Sequence, residues 1–430
     1  MINTAFVNIW NKRVGAIAWD AETGTAGFEF EPRFLKEKLD LAPLKMPREQ
    51  AERQIYMFPE HRNTNTFRGL PGLLADTLPD KYGKTLINTW LVQNGRPADS
   101  LNPVEMLCYV GKRGMGALEF EPAVPKINDR STKIEIDELV TMARKVLDQR
   151  KEFNSHLNEE DQKGLTDIIK VGTSAGGAKA KALIAFNPAT GEVRSGQADA
   201  PKDFAHWLLK FDGIENDTLG TPQGYGRVEM AYHIMAVACG IEMTECRLWE
   251  EQGRAHFMTR RFDREPGKGK LHMQSLCAMA HLDFENIAGY SYEQAFQTMR
   301  ELHLPYVAAE QLFRRMVFNV MARNCDDHTK NIAFLMDKSG TWRLAPAFDL
   351  TYAYRPGSNW ISRHYLSVNG KKENITQQDL LSVARSMSIK KGKNIITQIQ
   401  EVIREWPNFA ARTGTPASLL TQIGHNHLLL

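Results

Sequence analysis

The chain has 430 residues, of which 42% are hydrophobic and 24% charged, a composition typical of a globular protein of enzyme size. Its 54 basic and 51 acidic residues leave a formal charge of +3, too balanced to indicate nucleic-acid binding through phosphate neutralisation. Any DNA contact would therefore be indirect or local. The length favours more than one domain, and we expect two.

The cysteines and the apolar runs of the sequence indicate in which cellular compartment the protein is expected. The five cysteines include no close pair, so they predict neither a disulfide framework nor a zinc site. Residues 1–10 lack a basic segment followed by a long apolar run, and no later run of about 18 apolar residues occurs. We therefore expect a cytoplasmic protein with no membrane contact.

The first third of the chain predicts a small β/α module. Alternating β-like runs separated by turns predict an antiparallel sheet from Ala5–Trp10, Arg13–Trp19 and Thr25–Phe30. An amphipathic stretch predicts a helix over Tyr82–Val92, and a second helix is expected from Pro103 to about Tyr109.

The segment Glu121–Thr132 is rich in proline, asparagine and aspartate, which is typical of a linker. We place the domain boundary there, between a module of residues 1–120 and a domain of residues 133–430. Within that domain we expect a sheet-rich lobe over 133–265 and a mainly helical lobe over 266–430. The fold class predicted for the whole chain is α+β.

The second domain begins with a predicted helix, Ile136–Val146. Four strand-like runs then predict an antiparallel sheet: Lys179–Phe186, Ala205–Phe211, Cys246–Trp249 and His256–Phe262. Between the second and third runs, Val228–Ala238 has helical spacing, so we expect one helix packed on this sheet. Later helical stretches are Glu310–Ala322, Asp379–Ser386 and Ile395–Trp406.

The polar loop over residues 324–331, between two apolar stretches, is the most informative segment. Asp326 and Asn331 have the D-x-x-x-x-N spacing of kinase catalytic loops, where the aspartate orients or deprotonates the attacking hydroxyl and the asparagine binds magnesium. Many surface loops hold the same pair at this spacing. On this loop alone, an ordinary surface loop is an equally good interpretation.

A predicted hairpin after this loop strengthens the kinase interpretation. Ile332–Met336 and Trp342–Leu344, joined by a turn, would return the chain so that Asp349 lies beside Asn331. A carboxylate and a carboxamide oxygen would then face one volume, a pair that suits magnesium. The alternative is an aspartate that caps the next turn.

Two charged residues upstream are candidates for holding phosphate. Lys210 ends an apolar strand, where a lysine either extends to solvent or is functional. In kinases a strand lysine binds the α- and β-phosphates and pairs with a helical glutamate, and Glu229 could be that partner. Glu229 could equally be a favourable charge near a helix start.

A glycine-rich segment, Gly172–Lys179, has small residues whose backbone N–H groups could approach phosphate. It matches neither the Walker pattern nor the kinase G-x-G-x-x-G pattern. A flexible loop is the alternative interpretation.

Five segments together resemble the HipA family of serine/threonine kinases, the toxins of bacterial HipBA-type toxin–antitoxin systems. Their order and spacing match over residues 172–182, 206–211, 260–264, 324–331 and 345–350, and residues 69–80 resemble the family's N-terminal module. The resemblance implies a two-lobed, protein-kinase-like fold that binds ATP and Mg²⁺.

The resemblance also implies roles for individual residues. Asp326 would be the catalytic aspartate, with His328 and Lys330 in the same catalytic loop, and Asn331 and Asp349 would bind magnesium. The ATP-binding residues would be Thr173, Ser174, Ala175, Gly176, Gly177, Lys179, Lys210, Glu229, Thr259, Arg260 and Phe262. Family members autophosphorylate a serine in the glycine-rich loop, and here Ser174 and Thr173 are both candidates.

The family further implies a protein substrate linked to translation, such as an aminoacyl-tRNA synthetase. It implies a helix-turn-helix, HipB-like antitoxin, through which the chain would contact DNA only indirectly. Three alternatives stay open: a non-catalytic regulatory module with a kinase fold, a small-molecule kinase, and a metal-dependent nuclease using Asp326, Asp327 and His328.

Overall fold

The computed structural model describes residues 2–122, 133–148, 167–168, 172, 180–196, 200–215, 218–219, 223–265, 269–287 and 289–430. The chain forms two compact units. The first comprises Met1–Leu41, Met46–Gln223 and Trp249–Met273, and the second comprises Ala42–Lys45, Gly224–Leu248 and Gln274–Leu430. No helix among the described residues is long and apolar enough to cross a bilayer.

The first unit opens with an antiparallel sheet, as predicted. Its order is β4–β3–β2–β1–β5. Alternate side chains of β1 are buried, among them Val7 and Ile9, which is the pattern of a strand with one face on a core. Strands β4 and β5 were not predicted because they are too short to show alternation. The bounds are β1 Thr4–Ile9, β2 Lys12–Asp20, β3 Thr25–Phe30, β4 Ile55–Tyr56 and β5 Leu118–Glu121.

Three helices follow in the same unit: α1 (Gly72–Ala75), α2 (Lys81–Gln93) and α3 (Pro103–Val110). Both predicted helices are confirmed. Asp80 starts α2 by accepting a hydrogen bond from the Gly83 backbone N–H at 2.7 Å, and Asn102 starts α3 in the same way. Short 3-10 turns lie at Phe34–Glu37, Arg48–Gln50 and Pro59–His61.

The second sheet of this unit has the order β11–β12–β8–β6–β7, with β11 entering the unit at Trp249. Its central strand is β8, in which Leu209 lies opposite Ala182 on one side and Met258 on the other. The four predicted strands are confirmed. The bounds are β6 Lys181–Phe186, β7 Val193–Ser195, β8 Ala205–Lys210, β11 Cys246–Glu251 and β12 Arg254–Arg260.

The helix that packs on this sheet is α4 (Ile136–Asp148), whose Leu139, Ala143 and Val146 share one buried cluster with Trp207 and Leu209 of β8. The helix over 228–238 was predicted in that position. It exists, as α5 (Tyr225–Ala238), but it belongs to the second unit and contributes to that unit's core. The prediction of its packing was therefore wrong. Short strands complete the first unit: β9 Ile214–Glu215, β10 Thr218–Leu219, β13 Arg264–Glu265 and β14 Gly269–Lys270.

The second unit is mainly helical, as predicted for the C-terminal lobe. The predicted stretch Ile395–Trp406 spans the end of one helix and the start of another, because α10 ends at Arg404 and a new helix begins at Trp406 with Pro407 in its first turn. After β15 (His272–Ser275), the helices are α6 Leu276–Ala280, α7 Tyr292–Glu301, α8 Tyr306–Met321, α9 Gln377–Ser386, α10 Gly392–Arg404, α11 Trp406–Arg412 and α12 Ala417–Asn426.

A hairpin of β16 (Ala333–Met336) and β17 (Trp342–Leu344) completes this unit. Phe334 lies opposite Leu344, and the turn closes where the Gly340 backbone N–H donates to the Asp337 carbonyl at 3.0 Å. The hairpin predicted between the polar loop and Asp349 is therefore confirmed.

Candidate functional site

The polar loop begins where α8 ends. Two adjacent carboxylates in this loop have different surroundings: the side chain of Asp326 is 54% exposed, whereas that of Asp327 is 1% exposed. An exposed carboxylate can meet a substrate, while a buried one needs hydrogen bonds from the protein. The geometry therefore leaves Asp326, and not Asp327, available for contact with another molecule.

Asn331 and Asp349 line one cavity of about 10 Å³, together with Asn324 and Asp327. The hairpin thus brings the carboxamide and the carboxylate to one place, as the sequence predicted. The amide nitrogen of Asn331 donates to the Asp326 backbone carbonyl at 2.9 Å, which fixes the orientation of the amide group. Whether Asn331 and Asp349 bind a metal stays a prediction.

The backbone of Asp349 is left-handed, with φ at 58°. Aspartate and asparagine adopt this conformation more readily than most residues with a side chain. The Asp349 carbonyl accepts a 3.5 Å hydrogen bond from the amide nitrogen of Asn324. Asp349 therefore lies, in an unusual backbone conformation, at the end of the short segment that follows β17.

The cavity lining suits a hard cation. Asn331 and Asp349 supply a carboxamide and a carboxylate, the oxygen groups that magnesium accepts. Asn324 adds a third oxygen, because its buried Oδ1 has no hydrogen-bond partner within the described part of the chain. A buried carbonyl oxygen left unpaired costs free energy, so a bound cation or its water would satisfy it.

Arg315 of α8 also lines the cavity. One of its guanidinium nitrogens donates to the Ala345 carbonyl at 2.7 Å, which ties the segment before Asp349 to α8. Burial lowers the pKa of Arg315 to about 10, so the group keeps its charge near neutral pH. A fixed positive charge therefore lies beside the predicted metal ligands.

Asp327 is held by three donors that the sequence analysis missed. Tyr292 donates its hydroxyl to Asp327 at 2.8 Å, and the Tyr365 backbone N–H donates at 2.7 Å. His364 Nδ1 lies 3.1 Å from the same carboxylate. Tyr292, His364 and Tyr365 all lie far from Asp327 in the sequence, so no local spacing indicates that they contact it.

His328 and Lys330 contact aromatic rings. The Lys330 ammonium lies 4.6 Å from the centroid of the Phe284 ring, and the His328 ring lies 5.5 Å from the same ring. His328 Nε2 is 3.9 Å from the Asp326 carboxylate. His328 thus lies beside Asp326 and Lys330 lies beside Phe284, while their catalytic roles stay predictions.

In the first unit, Lys210 ends β8, opposite Lys181 on one side and Phe257 on the other. Its ammonium lies 5.8 Å from the centroid of the Phe257 ring. The predicted adenine-binding residues Thr259 and Arg260 lie in β12, and Phe262 follows this strand. Their roles toward ATP stay predictions.

The other predicted ATP-binding residues lie in the second unit or outside the described residues. Glu229 is buried in α5 of the second unit, and its pairing with Lys210 stays a prediction. The remaining predicted residues of the glycine-rich loop lie outside the described residues: Thr173, Ser174, Ala175, Gly176, Gly177 and Lys179.

The segment over 260–264 contains a buried charge cluster. Asp263 is fully buried and accepts hydrogen bonds from Arg261, Arg264 and the Gly116 backbone N–H. Burial alone would raise the pKa of Asp263, but the two guanidinium charges outweigh burial and hold the pKa well below its usual range. Arg261 and Arg264 also donate to the Gly114 carbonyl. This cluster joins β12 and β13 to the loop before β5.

Comparisons with known proteins agree over nearly the whole chain. The model of the HipA N-terminal domain matches residues 5–121, and that of the HipA-like C-terminal domain matches residues 173–406. The structure of HipA from Shewanella oneidensis MR-1, in complex with HipB and operator DNA, is similar with a TM-score of 0.67 and 15% identity, covering 98% of this chain and 95% of that chain. The α+β fold predicted from the sequence is thus confirmed.

A second solved structure is much less similar. The proinflammatory kinase CtkA of Helicobacter pylori matches with a TM-score of 0.36 and 12% identity, covering 59% of this chain and 90% of that chain. This similarity is too low to support an argument. The comparison with curated proteins found no match.

Proposed function

Because the chain belongs to the HipA family, we propose that it is a serine/threonine protein kinase that uses ATP and Mg²⁺ and acts as the toxin of a type II toxin–antitoxin system. The observation that carries this proposal is the convergence of Asn331 and Asp349 on one cavity, with the exposed carboxylate of Asp326 on the same loop. A catalytic aspartate beside a carboxamide and a carboxylate is the arrangement that phosphoryl transfer uses.

Four residues of the site have distinct roles in this proposal. Asp326 orients the acceptor hydroxyl and takes its proton. Asn331 and Asp349 hold magnesium, which when bound neutralises charge on the phosphate oxygens. The hydrogen bond from the Asn331 amide to the Asp326 carbonyl keeps the asparagine oxygen in one orientation. Arg315 adds a fixed positive charge next to these ligands.

The first unit would supply most of the ATP contacts, and Glu229 of the second unit is the predicted partner of Lys210. We assign Lys210, paired with Glu229, to the α- and β-phosphates, and the backbone of Thr259 and Arg260 to the adenine, with Phe262 next to them. The glycine-rich loop, from Thr173 to Lys179, would cover the phosphates and carry the autophosphorylation site at Ser174 or Thr173.

The proposed partners follow from the family. We propose a cytoplasmic protein whose substrate is translation-related, such as an aminoacyl-tRNA synthetase, and whose inhibitor is a HipB-like helix-turn-helix antitoxin. The similar Shewanella protein forms a complex with HipB and operator DNA, which supports the antitoxin assignment. DNA contact would then be made through the antitoxin.

Incubation of the purified chain with radiolabelled Mg-ATP and a cell lysate tests the kinase assignment. We expect label on the chain and on a lysate protein, and Asp326→Asn should reduce transfer by at least about 100-fold, because a positioned general base contributes that much. Glu401→Gln is the matched control, since Glu401 is exposed on α10 of the same unit.

The other outcomes each support a different function. Label on a small metabolite alone would indicate a small-molecule kinase. No label at all, from a chain that still binds its antitoxin, would indicate a non-catalytic module. Mass spectrometry of the chain expressed alone and as Asp349→Asn locates the modified hydroxyl, which we expect at Ser174 or Thr173 only in the unsubstituted chain.

A further inference from the structure

A continuous chain of hydrogen bonds, buried except at its Asp349 end, joins Asp349 to Asp327. The amide nitrogen of Asn324 donates to the Asp349 carbonyl at 3.5 Å and to Asn319 Oδ1 at 3.0 Å. The amide nitrogen of Asn319 donates to the Tyr292 hydroxyl oxygen at 2.9 Å. Tyr292 in turn donates to Asp327 at 2.8 Å. The chain therefore connects the segment that carries the predicted metal ligand Asp349 to the catalytic loop.

The carboxylate of Asp327 sets the direction of the three bonds from Asn324 to Asp327, while the bond from Asn324 to Asp349 is fixed by the backbone carbonyl, which only accepts. An ionised carboxylate only accepts, so the Tyr292 hydroxyl must donate to it. The tyrosine oxygen is then left to accept from Asn319, and the carbonyl of Asn319 must accept from Asn324. Hydrogen bonds that run in one direction, as they do from Asn324 to Asp327, polarise one another and are each strengthened in a buried environment.

Asp327 is also held from its other side. His364 and the Tyr365 backbone N–H bind the carboxylate, and the charge of Asp327 outweighs the effect of burial and raises the pKa of His364 to about 10. The imidazole is therefore charged near neutral pH. The side chain of Asp327 is only 1% exposed, which is too little for it to act on a substrate.

We propose that Tyr292, Asn319 and Asn324, acting through Asp327, position Asp326 and the pair Asn331 and Asp349 for phosphoryl transfer. Asp327 is next to Asp326 in the loop, and the far end of the chain binds the backbone of Asp349. A displacement at either end changes the distance between the residue that accepts the proton and the residues that hold magnesium. This inference rests on the proposed kinase function, and these three residues are positioning residues.

Tyr292→Phe tests the proposal because it keeps the ring and removes one oxygen from the middle of the chain. We expect kcat to fall by about tenfold or more, the usual effect of losing a group that orients a metal ligand. KM for Mg-ATP should rise together with the loss of metal affinity, because the metal and the nucleotide bind as one complex. In the presence of a non-hydrolysable ATP analogue, Mn²⁺ affinity measured by electron paramagnetic resonance should fall by about tenfold.

Tyr232→Phe is the matched control. Tyr232 is also fully buried in the second unit, and its hydroxyl donates to the Ala322 carbonyl at 2.6 Å, which is not part of the hydrogen-bond chain from Asp349 to Asp327. The Tyr232 hydroxyl also lies 3.0 Å from His427 Nε2, so each substitution removes two hydrogen bonds of one tyrosine hydroxyl and the two should cost similar stability. Only Tyr292→Phe should change kcat and Mn²⁺ affinity.

Loss of stability in Tyr292→Phe with unchanged kcat and Mn²⁺ affinity would overturn the proposal. If Tyr292→Phe does not fold, Asn319→Leu interrupts the same chain without a large change in volume and is expected to give the same two reductions. If the unsubstituted protein transfers no phosphate, the kinase assignment fails. The comparison of Mn²⁺ affinities still decides whether the hydrogen-bond chain positions the metal ligands.

Discussion

At the residue scale, burial separates two neighbouring acids that look equivalent in the sequence. The spacing of Asp326 to Asn331 could be read directly, and the hairpin that follows could be predicted from its apolar runs. The role of Asp327 could not be read, because its donors come from residues 292, 364 and 365. One signal was present: Asn319 interrupts a buried apolar run in α8, where an asparagine needs partners.

The left-handed backbone of Asp349 leads to a prediction on stability. Asp349→Gly and Asp349→Ala both remove the carboxylate, but only glycine adopts a positive φ without strain. We expect Asp349→Gly to be more stable than Asp349→Ala by about 1 kcal/mol in urea denaturation. Both variants should lose phosphoryl transfer equally. Equal stability of the two variants would show that position 349 is not held at a positive φ.

The pair of His364 and Asp327 leads to a prediction on pH. The pKa of His364 is about 10 in the folded chain and about 6.5 in an unfolded one. The histidine therefore stabilises the fold fully below the lower value, and this stabilisation is lost as the pH rises toward the higher one. We expect His364→Gln to be much less stable than the unsubstituted chain at pH 6 and to differ less at pH 9.5.

Urea denaturation of both proteins at the two pH values measures this effect. The comparison removes the contributions of other groups that titrate in the same range, since those are common to both proteins. A difference in the free energy of unfolding that stays constant with pH would mean that His364 is not charged in the folded chain.

At the element scale, the sequence identified most helices and strands but not always their packing. The apolar residues of α4 recur at one face, which is typical of a helix on a sheet. Those of α5 include Val228, Ala231, Tyr232 and Met235 and are buried on more than one side. Such a helix is surrounded by other elements, so its pattern predicts burial but not the partner.

The Asp263 cluster gives a prediction at the same scale, because it joins two elements within the first unit. Asp263→Ala leaves Arg261 buried and without its carboxylate. Removing one partner of a buried pair typically costs about 3–5 kcal/mol. We therefore expect a large loss of stability in urea denaturation, although Asp263 has no role in the proposed chemistry.

Glu192→Ala is the control for this prediction. Its carboxylate lies 2.7 Å from Arg194, in a pair with about a third of each side chain exposed. Partly exposed pairs contribute at most about 1 kcal/mol. Similar losses in the two variants would mean that the Asp263 cluster contributes no more than a surface pair.

At the scale of the whole molecule, the fold is shared with a HipA structure at 15% identity over 98% of the chain. Few residues are identical, so what both chains must share is mainly the pattern of buried and exposed positions. This explains why fold class could be predicted from apolar periodicity, while site roles needed specific polar residues. The glycine-rich loop matches neither standard phosphate-binding template, so its pattern alone did not predict phosphate binding.

Net charge gives the last prediction. With 54 basic and 51 acidic residues, the chain has little excess charge with which to neutralise phosphates. We expect the isolated chain to bind a fluorescein-labelled DNA duplex no more tightly than about 10⁻⁶ M at physiological salt, the range of non-specific binding. Fluorescence anisotropy over a series of salt concentrations measures this affinity. A dissociation constant in the nanomolar range for the chain alone, with a steep salt dependence, would mean that a local basic surface binds DNA directly and that no antitoxin is needed for contact.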